Sequence, residues 1–172
     1  MSRDLATLLL HAPQDFTNLC VIARTLESFG HRRCYVFDPF HLVRERYGKS
    51  YRQRLRTQSA GAFLHIEWQR VEDPPSFLAH YEGRKLAAVP TTTATSLFEL
   101  HFVPGDLVVL GSEAAGLPDA VIAACDHGVT IPTSGTTKSL NLSVAASLFV
   151  AEAARQAASH PAANPGPSAL PR

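Results

Sequence analysis

Residues 129–155 read VTIPTSGTTKSLNLSVAASLFVAEAAR, a strand, a polar loop and a long helix in succession. Lys138, Ser139 and Asn141 stand where the loop enters the helix. Hydroxyls, an amide and a helix N-terminus meet there, which favours a polar or anionic ligand. The loop is not a P-loop, because Thr137 stands where a glycine must precede the lysine and no glycine opens the motif.

The helix is predicted to begin near Ser139 or Asn141 and to run to about Ala157. Its apolar residues cover most of its circumference, which predicts burial on several sides. They are Leu140, Leu142, Val144, Leu148, Phe149 and Val150. Two interpretations remain open at this point, a subunit interface and an ordinary helix in the middle of the core.

Strand-length apolar runs precede this segment and alternate with helical ones, which predicts an open α/β sheet of parallel strands buried on both faces. The predicted strands are Leu5–His11, Cys34–Asp38, Leu86–Pro90, Asp106–Gly111 and Gly128–Pro132, with a weaker one in Phe63–Val71. The first helix is predicted over Asn18–Phe29, with Thr17 or Asn18 as N-cap and Gly30 as the left-handed C-cap residue. Ligands of such sheets bind beyond the carboxyl ends of the strands.

Two further strand-to-helix loops carry candidate polar groups. In residues 16–30, Asn18 and Arg24 lie on a helix otherwise packed with apolar residues. Arg24 either binds a phosphate or carboxylate, or covers apolar surface with its stem. In residues 107–122, Glu113 follows Gly111 in a tight turn before a helix that starts near Pro118, and glycine allows a ligand to approach the backbone closely. No G-x-G-x-x-G follows the first strand, which excludes the common dinucleotide fingerprint.

Composition is that of one soluble globular domain: 172 residues, 45% hydrophobic, 18% charged, with a formal net charge of +1. Three widely spaced cysteines without a C-x-x-C pair, and histidines without H-x-x-x-H spacing, predict neither disulfides nor a metal site. No signal peptide or membrane span is predicted, so we expect a cytoplasmic protein. Residues 158–172, rich in Pro and Ala, are predicted to be a disordered tail behind a domain of residues 1–157.

Positive charge is concentrated in residues 44–56, RERYGKSYRQRLR. Basic side chains contact phosphates, and the interleaved Tyr47 and Tyr51 suit stacking on unpaired bases. The candidate RNA-binding residues are Arg44, Arg46, Lys49, Arg52, Arg54 and Arg56. A solvated surface helix is the alternative.

Together the three loop segments resemble, in order, spacing and specific residues, the three motifs of the SPOUT superfamily of RNA methyltransferases, in its SpoU/TrmH-type branch. The resemblance covers residues 5–157, and IPTSGTTKSLNLSVA is its most diagnostic part. It implies a single-domain α/β fold with a parallel sheet and a deep C-terminal trefoil knot, S-adenosyl-L-methionine (SAM) as cofactor, and an active site completed across a homodimer. Without an appended RNA-binding domain, the chain looks like the minimal, TrmL-like members that methylate tRNA.

The resemblance also implies roles for individual residues. The catalytic candidates are Asn18, Arg24, Glu113, Ser139 and Asn141. The cofactor-binding candidates are Val89, Pro90, Gly111, Glu113, Gly116, Ile131, Ser139 and Leu140. Many relatives have Gly where Cys20 stands and Met where Thr133 stands, so the fit of the substrate is expected to differ.

The expected reaction transfers the SAM methyl group to a ribose 2′-hydroxyl. A guanidinium is very hard to deprotonate, so Arg24 is expected to bind the adjacent phosphate and stabilise oxyanion charge, with Glu113 orienting the pocket. We expect tRNA as substrate. The alternatives are an rRNA 2′-O-methyltransferase, a knotted RNA-binding protein without catalysis, and a small phosphotransferase, which the broken P-loop disfavours.

Overall fold

The computed structural model describes residues 6–43, 48–136 and 139–159. Its strands are β1 (Ala6–His11), β2 (Arg33–Phe37), β3 (Glu67–Arg70), β4 (Lys85–Ala88), β5 (Thr95–Ser96), β6 (Asp106–Leu110) and β7 (His127–Thr130). Its helices are α1 (Phe16–Ser28), α2 (Lys49–Ser59), α3 (Pro74–His80), α4 (Asp119–Ala123) and α5 (Leu142–Ser159), with a 3₁₀ turn at Ala62–His65. The strands form one sheet in the order β3-β2-β1-β6-β4-β7-β5, and every pairing is parallel. The predicted parallel α/β sheet is therefore confirmed.

The two central strands are buried on both faces, as their apolar runs predict. In β1 and β6, Leu8 and Val108 face one apolar cluster, whereas Leu9 and Val109 face another. Side chains alternate between the faces of a strand, so both faces need a covering layer. Helices α1, α2 and α5 contribute to the first cluster, and α3 and α4 to the second. The chain thus forms three layers, and the strands end together at one edge.

Helix α1 begins earlier than predicted. Its N-cap is Asp15, whose carboxylate accepts a hydrogen bond from the backbone N–H of Thr17 at 2.7 Å. The predicted caps Thr17 and Asn18 lie inside the helix, because Asp15 supplies the acceptor for the free N–H groups of the first turn. The predicted C-cap at Gly30 is confirmed: its φ is +83°, and His31 N–H bonds the carbonyl of Leu26 as in a Schellman motif.

Other boundaries differ from the sequence expectation by short stretches. The weak strand expected in Phe63–Val71 is shortened to Glu67–Arg70, because the backbone of Phe63 turns back to bond the Ser59 hydroxyl. Helix α3 and the two-residue β5 were not predicted. Helix α5 continues to Ser159, and residues 160–172 of the expected tail lie outside the described residues, as does Leu5.

At the opposite edge of the sheet, where the strands begin, Arg84 and Asp106 form a bidentate pair. Arg84 Nε and Nη2 donate to the Asp106 carboxylate at 3.0 and 2.7 Å. The Asp106 side chain is fully buried, and this hydrogen bond raises the pKa of Arg84. The pair fixes the start of β6 against β4 at the centre of the sheet.

Within the described parts of the chain, none of the helices combines the length and the apolar character needed to cross a membrane. The same residues contain no group of three or more His, Cys, Asp or Glu side chains that could hold a metal ion.

Candidate functional site

The loop after β6 folds back on itself immediately beyond the strand. Ser112 and Gly116 exchange two backbone hydrogen bonds of 3.1 and 3.0 Å. Gly116 has φ of +67°, and a Cβ at Gly111 would overlap the backbone of Gly116 and Leu117. Both glycines are therefore required by the shape of this loop, which holds Glu113 at its tip.

Glu113 is bound to the first strand-to-helix connection. Its Oε1 accepts a hydrogen bond from Asn18 Nδ2 at 2.6 Å, and its Oε2 accepts one from the backbone N–H of Gln14 at 3.1 Å. Asn18 is buried in the first turns of α1. Both carboxylate oxygens thus have donors from within the chain, which fixes the orientation of Glu113. Gln14 was not predicted, and no residue pattern could reveal it because it acts through its backbone.

Beside Glu113 lies a cavity of about 810 Å³ at the carboxyl ends of β4, β6 and β7. This volume is within the range of small-molecule sites. Its wall is largely apolar and includes Leu110, Val129 and Phe149, with Ser139 and several threonines among the polar groups. All eight residues expected to bind the cofactor line this cavity: Val89, Pro90, Gly111, Glu113, Gly116, Ile131, Ser139 and Leu140.

Asn141 lies just beyond the cavity wall and caps α5. Its Oδ1 accepts hydrogen bonds from the backbone N–H of Ser143 at 2.8 Å and from the Ser143 hydroxyl at 2.6 Å. The cap fixes where α5 begins and thereby places Leu140 and Leu142 in the wall. Asn141 is thus positioned at the site, with its side-chain oxygen bound to the helix.

Arg24 is exposed on α1 and is not part of the cavity wall. Across the described residues, no hydrogen bond or ion pair engages its guanidinium. The next residue, Thr25, bonds Ser147 of α5 through hydroxyl oxygens 2.8 Å apart. Since the Ser147 hydroxyl already donates to the Ser143 carbonyl at 2.7 Å, Thr25 is the donor. Arg24 is therefore presented to solvent where α1 and α5 meet.

The basic run is partly described. Lys49, Arg52, Arg54 and Arg56 lie exposed on α2, and the Arg54 guanidinium lies 5.7 Å from the ring centre of Phe16. Arg44 and Arg46, like Tyr47 and Lys138, lie outside the described residues. The Arg54 contact places this charge beside Phe16, the first residue of α1, two residues before Asn18.

The three thiols are unsuited to nucleophilic chemistry. Burial raises the pKa of Cys20 and of Cys125 to about 11, and it raises the pKa of the fully buried Cys34 further. All three are therefore protonated near neutral pH, and the thiolate is the reactive form. Cys20, one of the departures from the motif, is a buried packing residue of α1.

A cavity at the carboxyl ends of an all-parallel sheet, with a fixed carboxylate at its margin, defines a ligand-binding α/β protein. Residues 6–151 match the model of the SpoU rRNA Methylase family. The chain therefore belongs to this family, as its three motifs predicted.

Individual relatives and solved structures agree with this family membership. A tRNA (cytidine(34)-2'-O)-methyltransferase of Ancylobacter novellus is 32% identical over 112 residues, 64% of this chain and 65% of that one. A structure described as giving insight into the 2-OH methylation of C/U34 on tRNA has a TM-score of 0.76 and 26% identity, covering 90% of this chain and 97% of that one. The SpoU methyltransferase AviRb of Streptomyces viridochromogenes, solved with AdoMet, has a TM-score of 0.72 at 24% identity, over 93% of this chain and 63% of that one, and shows the shared fold. The matched region covers 46%, 65% and 53% of the length of three curated relatives, so this chain spans less than two thirds of each of those proteins.

Proposed function

We propose that this protein is a SAM-dependent RNA 2′-O-ribose methyltransferase that acts on tRNA as a knotted homodimer. The observation that carries the proposal is the bond between Asn18 and Glu113 at the margin of a ligand-sized cavity. It joins the first and second motif loops, and the third motif loop supplies Ser139 and Leu140 to the same cavity.

The cavity fits SAM in size and in chemistry. An adenine ring and a methionyl chain need an apolar slot with backbone hydrogen-bonding groups, and the wall provides both. Ile131 and Leu140 line the slot, and among the described residues their backbone N–H groups have no acceptor. We assign these two residues and Gly111 to the adenosine part, with Val89 and Pro90 beside them and Ser139, Glu113 and Gly116 toward the polar part.

When bound, SAM supplies an electrophilic methyl group. The protein must hold the ribose in line, stabilise the charge on O2′ and exclude water. Glu113 is held by Asn18 and Gln14, so we assign it the role of orienting the ribose-side wall and not that of a mobile base. Ser139 and the amide nitrogen of Asn141, which has no acceptor among the described residues, offer further polar contacts to the substrate.

We assign Arg24 to the RNA phosphate next to the reacting ribose. Its guanidinium is exposed and without a partner in the described chain, so it can bind an incoming anion. It lies outside the wall of its own cavity, which agrees with delivery to the cavity of a second copy.

The proposed dimer is supported by apolar surface beside Arg24. Val21 lies three residues before Arg24 on α1 and is 40% exposed, and Val144 on α5 is 46% exposed. The Thr25–Ser147 bond shows that these stretches of α1 and α5 are adjacent. Val21 and Val144 are thus exposed apolar side chains on adjacent stretches, and we infer that they form an apolar patch of the kind that subunit interfaces cover.

The proposed knot is supported by the crossings of the C-terminal half. The chain passes from β4 to the edge strand β5, returns to β6 on the other side of β4, and then adds β7 between β4 and β5. Helix α5 crosses back to α1, and Gln156 near its end bonds the Leu100 carbonyl and the Phe102 N–H of the β5–β6 connection. This connection and α5 are thus held against each other at the place where the proposed knot requires the chain to pass through a loop.

The test uses purified protein, labelled SAM, and separate pools of total tRNA and rRNA, with products mapped by nucleoside mass spectrometry. We expect a 2′-O-methylated nucleoside from tRNA. It should be lost in Arg24→Ala and kept in Arg32→Ala, an exposed arginine at the other edge of the sheet. Product from rRNA alone would overturn the tRNA assignment, and RNA binding without transfer to either pool would overturn the enzymatic one.

A further inference from the structure

Phe40 is an exposed aromatic side chain on a firmly held loop. Its side chain is 52% exposed, although the residues around it are anchored. Asp38 is buried, and its two carboxylate oxygens accept the backbone N–H groups of Leu42 at 3.0 Å and Val43 at 2.7 Å. Val43 in turn belongs to the main apolar cluster. The ring is therefore presented to solvent by a loop that is fixed on both sides of it.

A cation lies beside the same loop. Nη2 of Arg70, the last residue of β3, is 3.4 Å from Nδ1 of His41, the neighbour of Phe40. The Nε of Arg70 is 4.0 Å from the exposed carboxylate of Glu72, a distance that leaves the Arg70 charge largely available. An exposed aromatic ring on a loop that also contacts a guanidinium suits a ligand that has both flat rings and negative charge.

The strand register places Phe40 at the same edge as the candidate active site. Phe37 pairs with His11, and Leu10 pairs with Leu110, so β2, β1 and β6 end level with one another. Neighbouring strands are about 4.8 Å apart, so the loop of Phe40 and the loop of Glu113 leave the sheet about 10 Å apart. That span is about three nucleotides of a stacked single strand.

We propose that Phe40 is a stacking platform for an unpaired base of the RNA substrate, within about three nucleotides of the methylated ribose, with Arg70 beside the adjoining phosphate. The inference rests on the proposed function and adds a contact outside the three motifs and outside the basic run. Stacking accepts any base through its ring face, so Phe40 contributes affinity for unpaired RNA without selecting its sequence. The charge of Arg70 and of the neighbouring helix α2 favours RNA over an apolar protein surface as the occupant.

The experiment measures binding of two fluorescent RNAs by anisotropy, a hairpin with an unpaired loop and a fully paired duplex. The proteins are the wild type, Phe40→Ala, Phe40→Trp and Phe29→Ala. Phe29 is the matched control, because it is 45% exposed at the end of α1, on the opposite edge of the sheet. We expect Phe40→Ala to bind the looped hairpin about tenfold more weakly and the duplex unchanged, with Phe40→Trp and Phe29→Ala like the wild type.

The outcomes separate the two proposals. A wild type that binds the hairpin and a Phe40→Ala variant that binds it equally well would overturn the stacking role and leave the methyltransferase assignment intact. A wild type that binds neither RNA would overturn the proposed function itself. Equal weakening of both RNAs by Phe40→Ala would also overturn stacking, since a paired duplex offers no free base. Calorimetric titration with SAM should give the same affinity for all four proteins.

Discussion

Asn18 and Glu113 lie 95 residues apart in the chain, and Nδ2 of Asn18 donates a 2.6 Å hydrogen bond to Oε1 of Glu113. This bond joins α1 to the loop after β6, two segments that flank the central strand pair. The carboxylate is thus oriented by the fold before any ligand binds, which is the preorganisation that catalytic sites need.

We expect Asn18→Ala to lower kcat/KM for methyl transfer by about tenfold or more, since it removes a charge-assisted hydrogen bond that orients Glu113. Glu113→Gln should have a similar effect. The double variant should be little worse than the more damaged single variant, because both changes remove one contact. Fully additive losses would show that the two residues act separately. Circular dichroism on each variant controls for folding.

Gly111→Ala is expected to abolish tight SAM binding. A Cβ at Gly111 would overlap the backbone of Gly116 and Leu117, so the loop beside the cavity would have to rebuild. Gly135→Ala is the matched control, because a Cβ there would meet no atom of the described residues within 4 Å. Isothermal titration calorimetry should show that Gly111→Ala lowers the affinity for SAM by at least about tenfold and that Gly135→Ala leaves this affinity unchanged. Equal affinity in both would refute the assignment of this loop to the cofactor.

Arg84→Met should destabilise the protein by about 3 kcal/mol. It leaves Asp106, which is fully buried, without its cation, and breaking such a pair is costly. Arg33→Met removes an exposed pair with Glu67 at 3.7 Å and should cost less than about 1 kcal/mol. Urea unfolding gives both values. A similar small loss for the two variants would mean that the Asp106 carboxylate is satisfied by the backbone alone.

Acid should destabilise the protein in part through His11. Burial lowers the pKa of this imidazole below its usual value of 6.5, and the ring packs against Phe37 with their centres 5.0 Å apart. Because the folded pKa lies below the unfolded one, the unfolded chain binds more protons between the two values. The contribution of neutral His11 to the free energy of unfolding is therefore fully present above pH 6.5, and it is lost as the pH drops through the folded pKa.

The variant His11→Phe keeps a ring against Phe37 and removes the titrating group. Urea unfolding at pH 7.5 and at pH 5.5 should show a smaller loss of stability for the variant than for the wild type. An identical loss would show that other groups account for the acid sensitivity. Nδ1 of His11 is the group expected to respond, because it is buried and has no hydrogen-bond partner among the described residues.

The proposed dimer makes Val144 a sensitive position. Val144→Asp places a charge in the exposed apolar patch and should shift the protein to a monomer, which light scattering after gel filtration would detect. Methyl transfer should fall with it, because Arg24 is assigned to the cavity of the partner. Ala79→Asp, at an exposed position of α3 on the opposite face, should change neither property. A Val144→Asp variant that remains dimeric would place the interface elsewhere.

Much of the fold follows from local pattern. The apolar runs of β1 and β6 predicted strands buried on both faces, and Gly30 predicted the end of α1, because these signals depend on residues close together in the chain. Local pattern did not predict elements whose structure depends on a partner far away in the chain. The edge strand β5 has two residues and exists only because β7 pairs with it. Helix α3, by contrast, has a local signal in the sequence, the N-cap Asp73 followed by Pro74.

The sequence by itself determined the family, the parallel sheet and the residues that carry the three motifs, since each depends on residue type and spacing within one loop. Only the tertiary structure decided which of those residues meet. It joined Glu113 to Asn18 and to the backbone of Gln14, gathered eight residues from three loops around one cavity, and left Arg24 facing solvent. The physical reason is that strands adjacent in this sheet are distant in the chain, so contacts across β1, β6, β4 and β7 arise from pairing order and not from spacing.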